Sequence, residues 1–461
     1  MTPRDDDTIA AISTPPGLGA IGIVRISGPQ APAIAARLFR AADGQSVEAM
    51  ASHRLVLGRV HDDGRPLDEV LLAVMRAPRS YTRQDVVELH CHGGAAAVRA
   101  VLELALAAGA RLAGPGEFTR RALLAGRIDL TQAEAVLDLI QARTRAGLRA
   151  AQARLAGRLG HRAAAVRRTV TAAAAELEAA IDFPDEQLEG LVAAARRRAA
   201  VARRQLAGLL AGADAGRLYR QGLAVAIAGR PNVGKSSLFN RLLREARAIV
   251  SDEPGTTRDV VAETIAIHGV PLRLSDSAGL RQANGEAERQ GVERAERAMA
   301  EADLVLLVLD ASQPLAAGDR AALASLRAAG AEWLAVANKA DLPARLDPAV
   351  AGELLGEQPL AVSAKTGAGI EALEAALAER LLGPGLVPPE DALVASAREA
   401  DCLRRCDAAL ERFAAAVDAG TPPEAAALDL RDAAAAIGEL LGDIAHDELL
   451  DHIFSRFCIG K

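Results

Sequence analysis

The stretch Gly229-Arg230-Pro231-Asn232-Val233-Gly234-Lys235-Ser236 matches the pattern G-x-x-x-x-G-K-[ST], whose chemistry is the cradling of a polyphosphate. Backbone N–H groups of such a loop face the phosphates, Lys235 reaches the β- and γ-phosphates, and the Ser236 hydroxyl ligates Mg²⁺. Asn232, Val233, Gly234 and Ser237 complete the candidate contacts. Ahead of the loop, Leu223 to Ala228 is an apolar run that reads as a buried strand. Behind it, Ser237 to Leu243 has helical spacing, so a helix N-terminus meets the same spot and favours an anion there.

Four further stretches follow in the order that a GTP-hydrolysing site needs. In Gly255-Thr256-Thr257-Arg258-Asp259, Thr257 can bring its hydroxyl to Mg²⁺ and sense the γ-phosphate. In Asp276-Ser277-Ala278-Gly279, Asp276 can hold Mg²⁺ through water and the Gly279 N–H can bond the γ-phosphate. In Asn338-Lys339-Ala340-Asp341, a buried Asp341 carboxylate can accept from the N1–H and 2-amino group of guanine, donors that adenine lacks. Ser363-Ala364-Lys365 supplies a backbone N–H toward guanine O6. Guanine specificity follows from the set. The residue after Gly279 is Leu280 rather than a water-positioning glutamine, and no arginine is obviously placed in cis as a finger. Glu286, Glu288 and Glu293 are candidates to orient the water, or belong to an exposed acidic loop.

The elements that must position these residues alternate strand and helix over residues 222 to about 382, the mark of a parallel doubly wound sheet. Helical sequence flanks that stretch on both sides, so one helical domain interrupted by an α/β domain is the economical arrangement. Residues 8 to about 120 mix strands and helices in α+β order: Ile21 to Ile26, Val70 to Val74 and Val86 to Leu89 read as strands, Ala95 to Ala108 as a helix. The division is 1–122, 123–220, 221–382 and 383–461, within an α/β multidomain chain.

At 461 residues the chain has room for about three domains. Aromatic residues are only 2%, which argues against recognition by stacked aromatic side chains. A net charge of −6 gives no global attraction to nucleic acid, so any RNA contact must be local. Four scattered cysteines, Cys91, Cys402, Cys406 and Cys458, make no disulfide framework and suit a reducing, cytoplasmic setting. Neither a secretory leader nor a membrane span is expected.

Some polar residues allow two readings. Arg25 and Glu88 stand inside apolar strand runs, as edge or solvent-facing positions or as a paired-charge pocket. His90-Cys91-His92-Gly93-Gly94 fits no zinc spacing, and a turn is expected there. Between Gln141 and Val170 lie eight arginines and no acid, with Arg154, Arg158 and Arg162 on one i, i+4 row. Such a row is a solvated face or a contact for an RNA backbone.

With these residues in view, the chain resembles the MnmE (TrmE) family of tRNA-modification GTPases along its whole length. The likeness is carried by Thr14-Pro15-Pro16-Gly17, Gly22-Ile23-Val24-Arg25-Ile26-Ser27-Gly28, Pro115-Gly116-Glu117-Phe118-Thr119, Ile181-Asp182-Phe183-Pro184 and the C-terminal Phe454-Ser455-Arg456-Phe457-Cys458-Ile459-Gly460-Lys461. It implies a Ras-like P-loop GTPase domain inserted in a helical domain, behind an N-terminal α+β domain that dimerises and binds folate. It implies a homodimer whose GTPase domains pair when GTP and K⁺ are bound, K⁺ standing in for the arginine finger. Asn232 matches the K⁺-ligating asparagine of the family. The segment Ser251, Asp252, Glu253, Pro254, Gly255 and Thr256 matches the loop with the other ligands, at Ser251, Glu253 and Thr256. Glu288 matches the glutamate that orients water.

Arg25, Glu88, Arg127 and Lys461 match positions that contact 5-formyltetrahydrofolate or a related one-carbon folate, and Cys458 is a catalytic candidate or a buried structural thiol. The resemblance also implies an FAD-dependent partner, MnmG. With it the family modifies C5 of the wobble uridine, position 34, of certain tRNAs to carboxymethylaminomethyl- or aminomethyl-type uridine. Two departures stand out: Ser277 where threonine is usual, and Arg127 where lysine is common. From another class, a GTP-dependent RNA-binding ribosome-assembly factor is the alternative, disfavoured by the acid-rich helical sequence from Glu439 to Asp451.

Overall fold

Residues that alternate between two environments build the first part of the chain. Along Ile21–Ser27, Val24 and Ile26 are buried on one side, and Arg25 falls on the other, because successive side chains of a strand point to opposite faces. The computed structural model describes residues 7–182, 188–245, 262–276, 299–382, 386–443 and 447–461. They divide between two compact units, one of Met1–Leu137, Ala163–Arg167 and Ala434–Lys461, the other of Asp138–Arg162 and Arg168–Ala433.

In the first unit, β1 (Ile9–Ile12), β2 (Ile21–Ser27), β3 (Phe39–Ala41), β4 (Leu55–Asp62), β5 (Arg65–Met75), β6 (Val86–His92) and β7 (Arg111–Leu112) form a seven-stranded sheet in the order β3-β4-β5-β6-β2-β1-β7. All neighbours run antiparallel except β1 and β7. Val24, Leu72, Leu89 and Val101 share a core with residues of α1 (Ala31–Leu38) and α2 (Ala95–Ala107), which cover one face of the sheet. The stretch His90-Cys91-His92, expected as a turn, belongs to β6, with the turn residues Gly93 and Gly94 beyond it. Apolar Val86, Val87, Leu89 and Cys91 are buried, and that burial carries the strand through the two histidines. Helix α3 (Glu117–Leu124) and the first turns of α4 (Leu130–Gln141) complete the unit. Leu130, Ala133 and Leu137 pack there on Leu450, Phe454 and Phe457 from the end of the chain.

The second unit holds both helices and a second sheet. Four helices, α5 (Arg145–Leu155), α6 (Arg158–Asp182), α7 (Leu188–Leu210) and α8 (Ala213–Gln221), precede β8 (Leu223–Ala228). Then come α9 (Lys235–Glu245), β9 (Ala262–Ile267), β10 (Val270–Asp276), β11 (Leu304–Asp310), α10 (Ala317–Ala329), β12 (Trp333–Asn338), α11 (Pro348–Leu355), β13 (Leu360–Ala361) and α12 (Ile370–Leu382). The order β13-β12-β11-β8-β10-β9 is parallel but for the hairpin partner β9. Strands buried on both faces need continuous apolar sequence, and all seven residues of β11, Leu304–Asp310, are buried. Leu238, Leu242, Leu373 and Leu377 from α9 and α12 join the core on one face; Leu323, Leu326, Ala351 and Leu355 from α10 and α11 join that on the other. Beyond the sheet, α13 (Ala397–Asp418) starts from a capping box of Ser396 and Glu399, and α14 (Pro423–Leu441) follows.

The arginine row read from the sequence does not exist as such. Arg154 ends α5 while Arg158 opens α6, so no single helix carries the three. Arg154 is 1% exposed and is ion-paired with Asp138 and with Glu399, neither a solvated position nor one that could meet RNA. At the other end of α5 the Thr144 hydroxyl accepts from Gly147 N at 3.0 Å and donates to Gly269 O at 2.7 Å. That contact ties the helix to the β9–β10 turn.

Candidate functional site

The C-terminal ends of parallel strands in an open α/β sheet leave a crevice where the chain order reverses, and β8 lies between β10 and β11 at such a point. The glycine loop leaves the end of β8 and enters α9 at Lys235. Gly234 has φ +93°, and a Cβ there would fall 2.3 Å from Asn338 Nδ2, so only glycine lets the two loops approach this closely. Lys235 is buried, its ammonium donating to Gly229 O at 3.0 Å and Arg230 O at 2.9 Å. A positive charge curled into its own loop, beside a helix N-terminus, is an environment that fits phosphate. Ser236 and Ser237 are exposed in the first turn of α9.

The base-side residues sit at the ends of β12 and β13. Asn338 is 1% exposed; its Nδ2 donates to Val233 O at 2.9 Å and its Oδ1 accepts from Ala364 N at 3.0 Å. Lys339 Nζ donates to Asn232 O and to Asp310 Oδ2, each at 2.7 Å. Burial pushes the Asp310 carboxyl up, but Lys339 and Ser312 outweigh it and hold it below the usual range. Ala340 N bonds Val362 O at 3.0 Å. Asp341 accepts from the Ser363 hydroxyl at 2.6 Å, a bond that holds its carboxyl below the usual range and therefore ionised. It is exposed, not buried as the sequence reading has it, because the loop after β12 leaves one side open. The base itself would have to supply the cover. Lys365 is exposed beside it.

Several expected residues lie outside the described ones: Ser251, Asp252, Glu253, Pro254, Gly255, Thr256 and Thr257, then Ser277, Ala278 and Gly279, and the carboxylates Glu286, Glu288 and Glu293. Of Asp276 the backbone is described, at the end of β10 opposite Ile227 of β8.

A second constellation lies on the sheet face of the first unit that α1 and α2 do not cover. Arg25 and Glu88 are register partners on the adjacent inner strands β2 and β6, so the edge reading fails. Arg25 Nε donates to Glu88 Oε1 at 2.8 Å, and each side chain is 17% exposed. The other Glu88 oxygen lies 3.4 Å from His90 Nε2, a buried atom with no hydrogen-bond partner among the described residues. Arg25 also faces the rings of Tyr81 and Phe118, with Cζ 5.9 and 5.5 Å from their centroids. Arg127 stacks on the same Tyr81 at 4.8 Å and donates to Tyr81 O at 3.1 Å.

The C-terminal residues close this face. Pro115 and Ile459 form a β-bridge, Phe118 N donates to Lys461 O at 3.2 Å, and Gly460 O accepts from Ser13 Oγ at 3.0 Å and Arg25 Nη1 at 3.3 Å. Gly460 has φ +100°, and a Cβ there would lie 2.1 Å from Ile12 O. Cys458 is exposed, which removes the buried-thiol reading. Sequence reasoning missed Ser13 and Tyr81 here and read His90 only as part of a turn. In a chain with two tyrosines, the rarity of Tyr81 was the one available signal.

A glycine loop running into a helix at the ends of parallel strands, with an Asn-Lys-x-Asp stretch bonded to it, defines a P-loop nucleotide-binding protein. The family model of the MnmE helical domain matches residues 130–458, and that of the GTP-binding protein TrmE N-terminus matches residues 8–127. A tRNA modification GTPase MnmE of Symbiobacterium thermophilum is 49% identical over 462 residues, covering 99% of this chain and 100% of that one. Another, of Geobacillus kaustophilus, is 45% identical over 460 residues and covers 99% of each. The chain belongs to the MnmE (TrmE) family. It is a GTP hydrolase of tRNA modification. Among the described residues no helix is long and apolar enough to cross a membrane.

Proposed function

We propose that GTP hydrolysis in this chain is activated by K⁺ and drives modification of C5 of the wobble uridine, position 34, of certain tRNAs, in a homodimer working with the FAD-dependent MnmG. The observation that carries the nucleotide half is Asp341, ionised and held by Ser363 beside a loop that Asn338 joins to the phosphate loop. That carboxylate accepts the two guanine donors, and adenine offers it none. Lys235 and the N-terminus of α9 meet the phosphate charge, Ser236 and Thr257 hold Mg²⁺, and Asn232 with Ser251, Glu253 and Thr256 holds K⁺. When bound, the two cations neutralise charge that develops on the phosphate oxygens, the task an arginine finger performs elsewhere. Glu288 orients the water.

For the second pocket the reading is a one-carbon tetrahydrofolate. Glu88 and the buried His90 Nε2 offer polar partners to a pterin-like ring edge, and Arg25, Arg127 and the Lys461 ammonium offer positive charge to a carboxylated tail. The exposed Cys458 thiol is open to a reactant. The test is nucleoside analysis of tRNA from a deletion strain carrying the wild-type chain, no chain, or Asp341→Asn. Wobble uridines should be modified only with the wild type; modification in the deletion strain would overturn the reading. Hydrolysis should be several-fold faster in K⁺ than in Na⁺, with Asn232→Ala removing the difference; equal rates with the wild type would overturn the K⁺ assignment.

A further inference from the structure

We infer that Arg241, on the helix that follows the phosphate loop, is a positioning residue for the nucleobase: it holds the Ala364–Lys365 peptide so that the Lys365 N–H is presented to the guanine 6-oxo group. The inference rests on the guanine reading of the site and names a residue that no nucleotide-binding motif in the chain contains.

Arg241 stands about one and two-thirds turns along α9 from Lys235. Its Nε donates to Ala364 O at 2.9 Å and its Nη2 to Lys365 O at 2.5 Å. Two donors of one planar fork on consecutive carbonyls leave the peptide between them no freedom to rotate. In a trans peptide the C=O and the following N–H point in opposite directions. Fixing Ala364 O toward α9 therefore fixes the Lys365 N–H on the side away from α9, where it has no partner among the described residues. From the other side, the Ala364 N–H is held by Asn338 Oδ1 at 3.0 Å. The two amides of the loop are thus gripped from opposite edges, and only the second remains to donate. A cationic donor on the Ala364 carbonyl also polarises that amide, which makes its N–H a better donor in a low-dielectric setting. Through Arg241 and Asn338 the base loop and the phosphate loop move as one piece, which sets the base at a fixed distance from the phosphates.

The experiment uses the full chain and diphosphates, so that turnover does not intrude. Affinities are measured for GDP, for IDP, which keeps the 6-oxo group and lacks the 2-amino group, and for 2-aminopurine riboside diphosphate, which lacks the 6-oxo group. Arg241→Ala should weaken GDP and IDP by a similar factor, about 3- to 10-fold, and leave the 2-aminopurine nucleotide within about 2-fold. Arg241→Lys keeps the charge without the fork and should recover less than half of that loss; it also carries the test if the alanine variant melts early. An unchanged GDP affinity, or an equal loss on all three nucleotides, would overturn the inference. Asp341→Asn separates the two levels. If it fails to shift preference from GDP toward XDP, the guanine reading itself falls; if it succeeds while Arg241→Ala is silent, only the role of Arg241 falls.

Discussion

The two polar constellations of this chain are built on opposite plans. Around the glycine loop the cross-links run from side chain to backbone: Asn338 and Lys339 reach the phosphate-loop carbonyls of Val233 and Asn232, and Arg241 reaches from α9 to Ala364 O. On the sheet of the first unit the side chains themselves make the cluster, with Arg25, Glu88 and His90 standing on two neighbouring strands. The chain end that closes over them bonds Arg25 across 435 positions of sequence. A backbone-built site depends on conformation and on cross-bracing. A side-chain-built site depends on particular atoms and on whatever brings the last piece home.

Lys235 supplies the main side-chain charge at the glycine loop, and its loss should separate the two constellations most sharply. Lys235→Ala should lower GTP hydrolysis on the order of 10²- to 10³-fold, the scale for removing a preorganised charge stabiliser, and leave 5-formyltetrahydrofolate affinity unchanged. Phosphate release and calorimetric titration read the two effects; a fall of less than about tenfold in hydrolysis would mean that the phosphate charge is met elsewhere. Removing Cys458 to Lys461 is the reverse experiment. It deletes the Pro115 bridge and the Gly460 carbonyl, so folate affinity should drop at least about tenfold, the loss of two or more hydrogen bonds, while GDP affinity holds.

A gentler form of the same test is Gly460→Ala, which adds a Cβ 2.1 Å from Ile12 O at φ +100°. The tail must shift, and folate affinity should fall by about 3- to 10-fold with no change at the nucleotide site.

The smallest effect concerns acid. Glu117 is buried against Arg111 and Arg121 and accepts from Gly114 N at 2.8 Å. Burial alone would raise its carboxyl, but the two guanidiniums and the N–H outweigh burial and lower it. A lowered value in the folded state means that its stabilisation is complete above the usual glutamate range and is lost as pH falls through the folded value. Melting temperature should therefore drop on acidification below that range, and Glu117→Gln should flatten the drop. An unchanged slope in the variant would remove Glu117 from the account.

Legibility followed the same divide. The glycine loop between β8 and α9 was readable because it is made by consecutive residues, and its conformation needs glycines at set spacings. The strand ahead of it was readable too, since burial on both faces demands an apolar run such as Leu223 to Ala228. Arg154 was misread for the opposite reason. Its sequence neighbours Gln152, Ala153, Leu155 and Ala156 carry no charge, and the carboxylates that neutralise it lie 16 and 245 positions away. No local pattern reports a partner at that distance. Asp341 was expected buried and is exposed, because exposure depends on what packs above a loop.

By itself, then, the order of residues settled that a glycine loop joins a strand to a helix, that two helical stretches flank the α/β stretch, and which terminal octapeptide marks the family. Those are short-range matters, decided by spacing along one backbone. Folding alone determined that Arg25 meets Glu88 across a ladder, that Tyr81 is shared by two arginines, that the carboxyl end returns to the first strands, and that Arg241 braces a loop 123 positions away. Each joins atoms that only the packing of strands and helices brings within bonding distance.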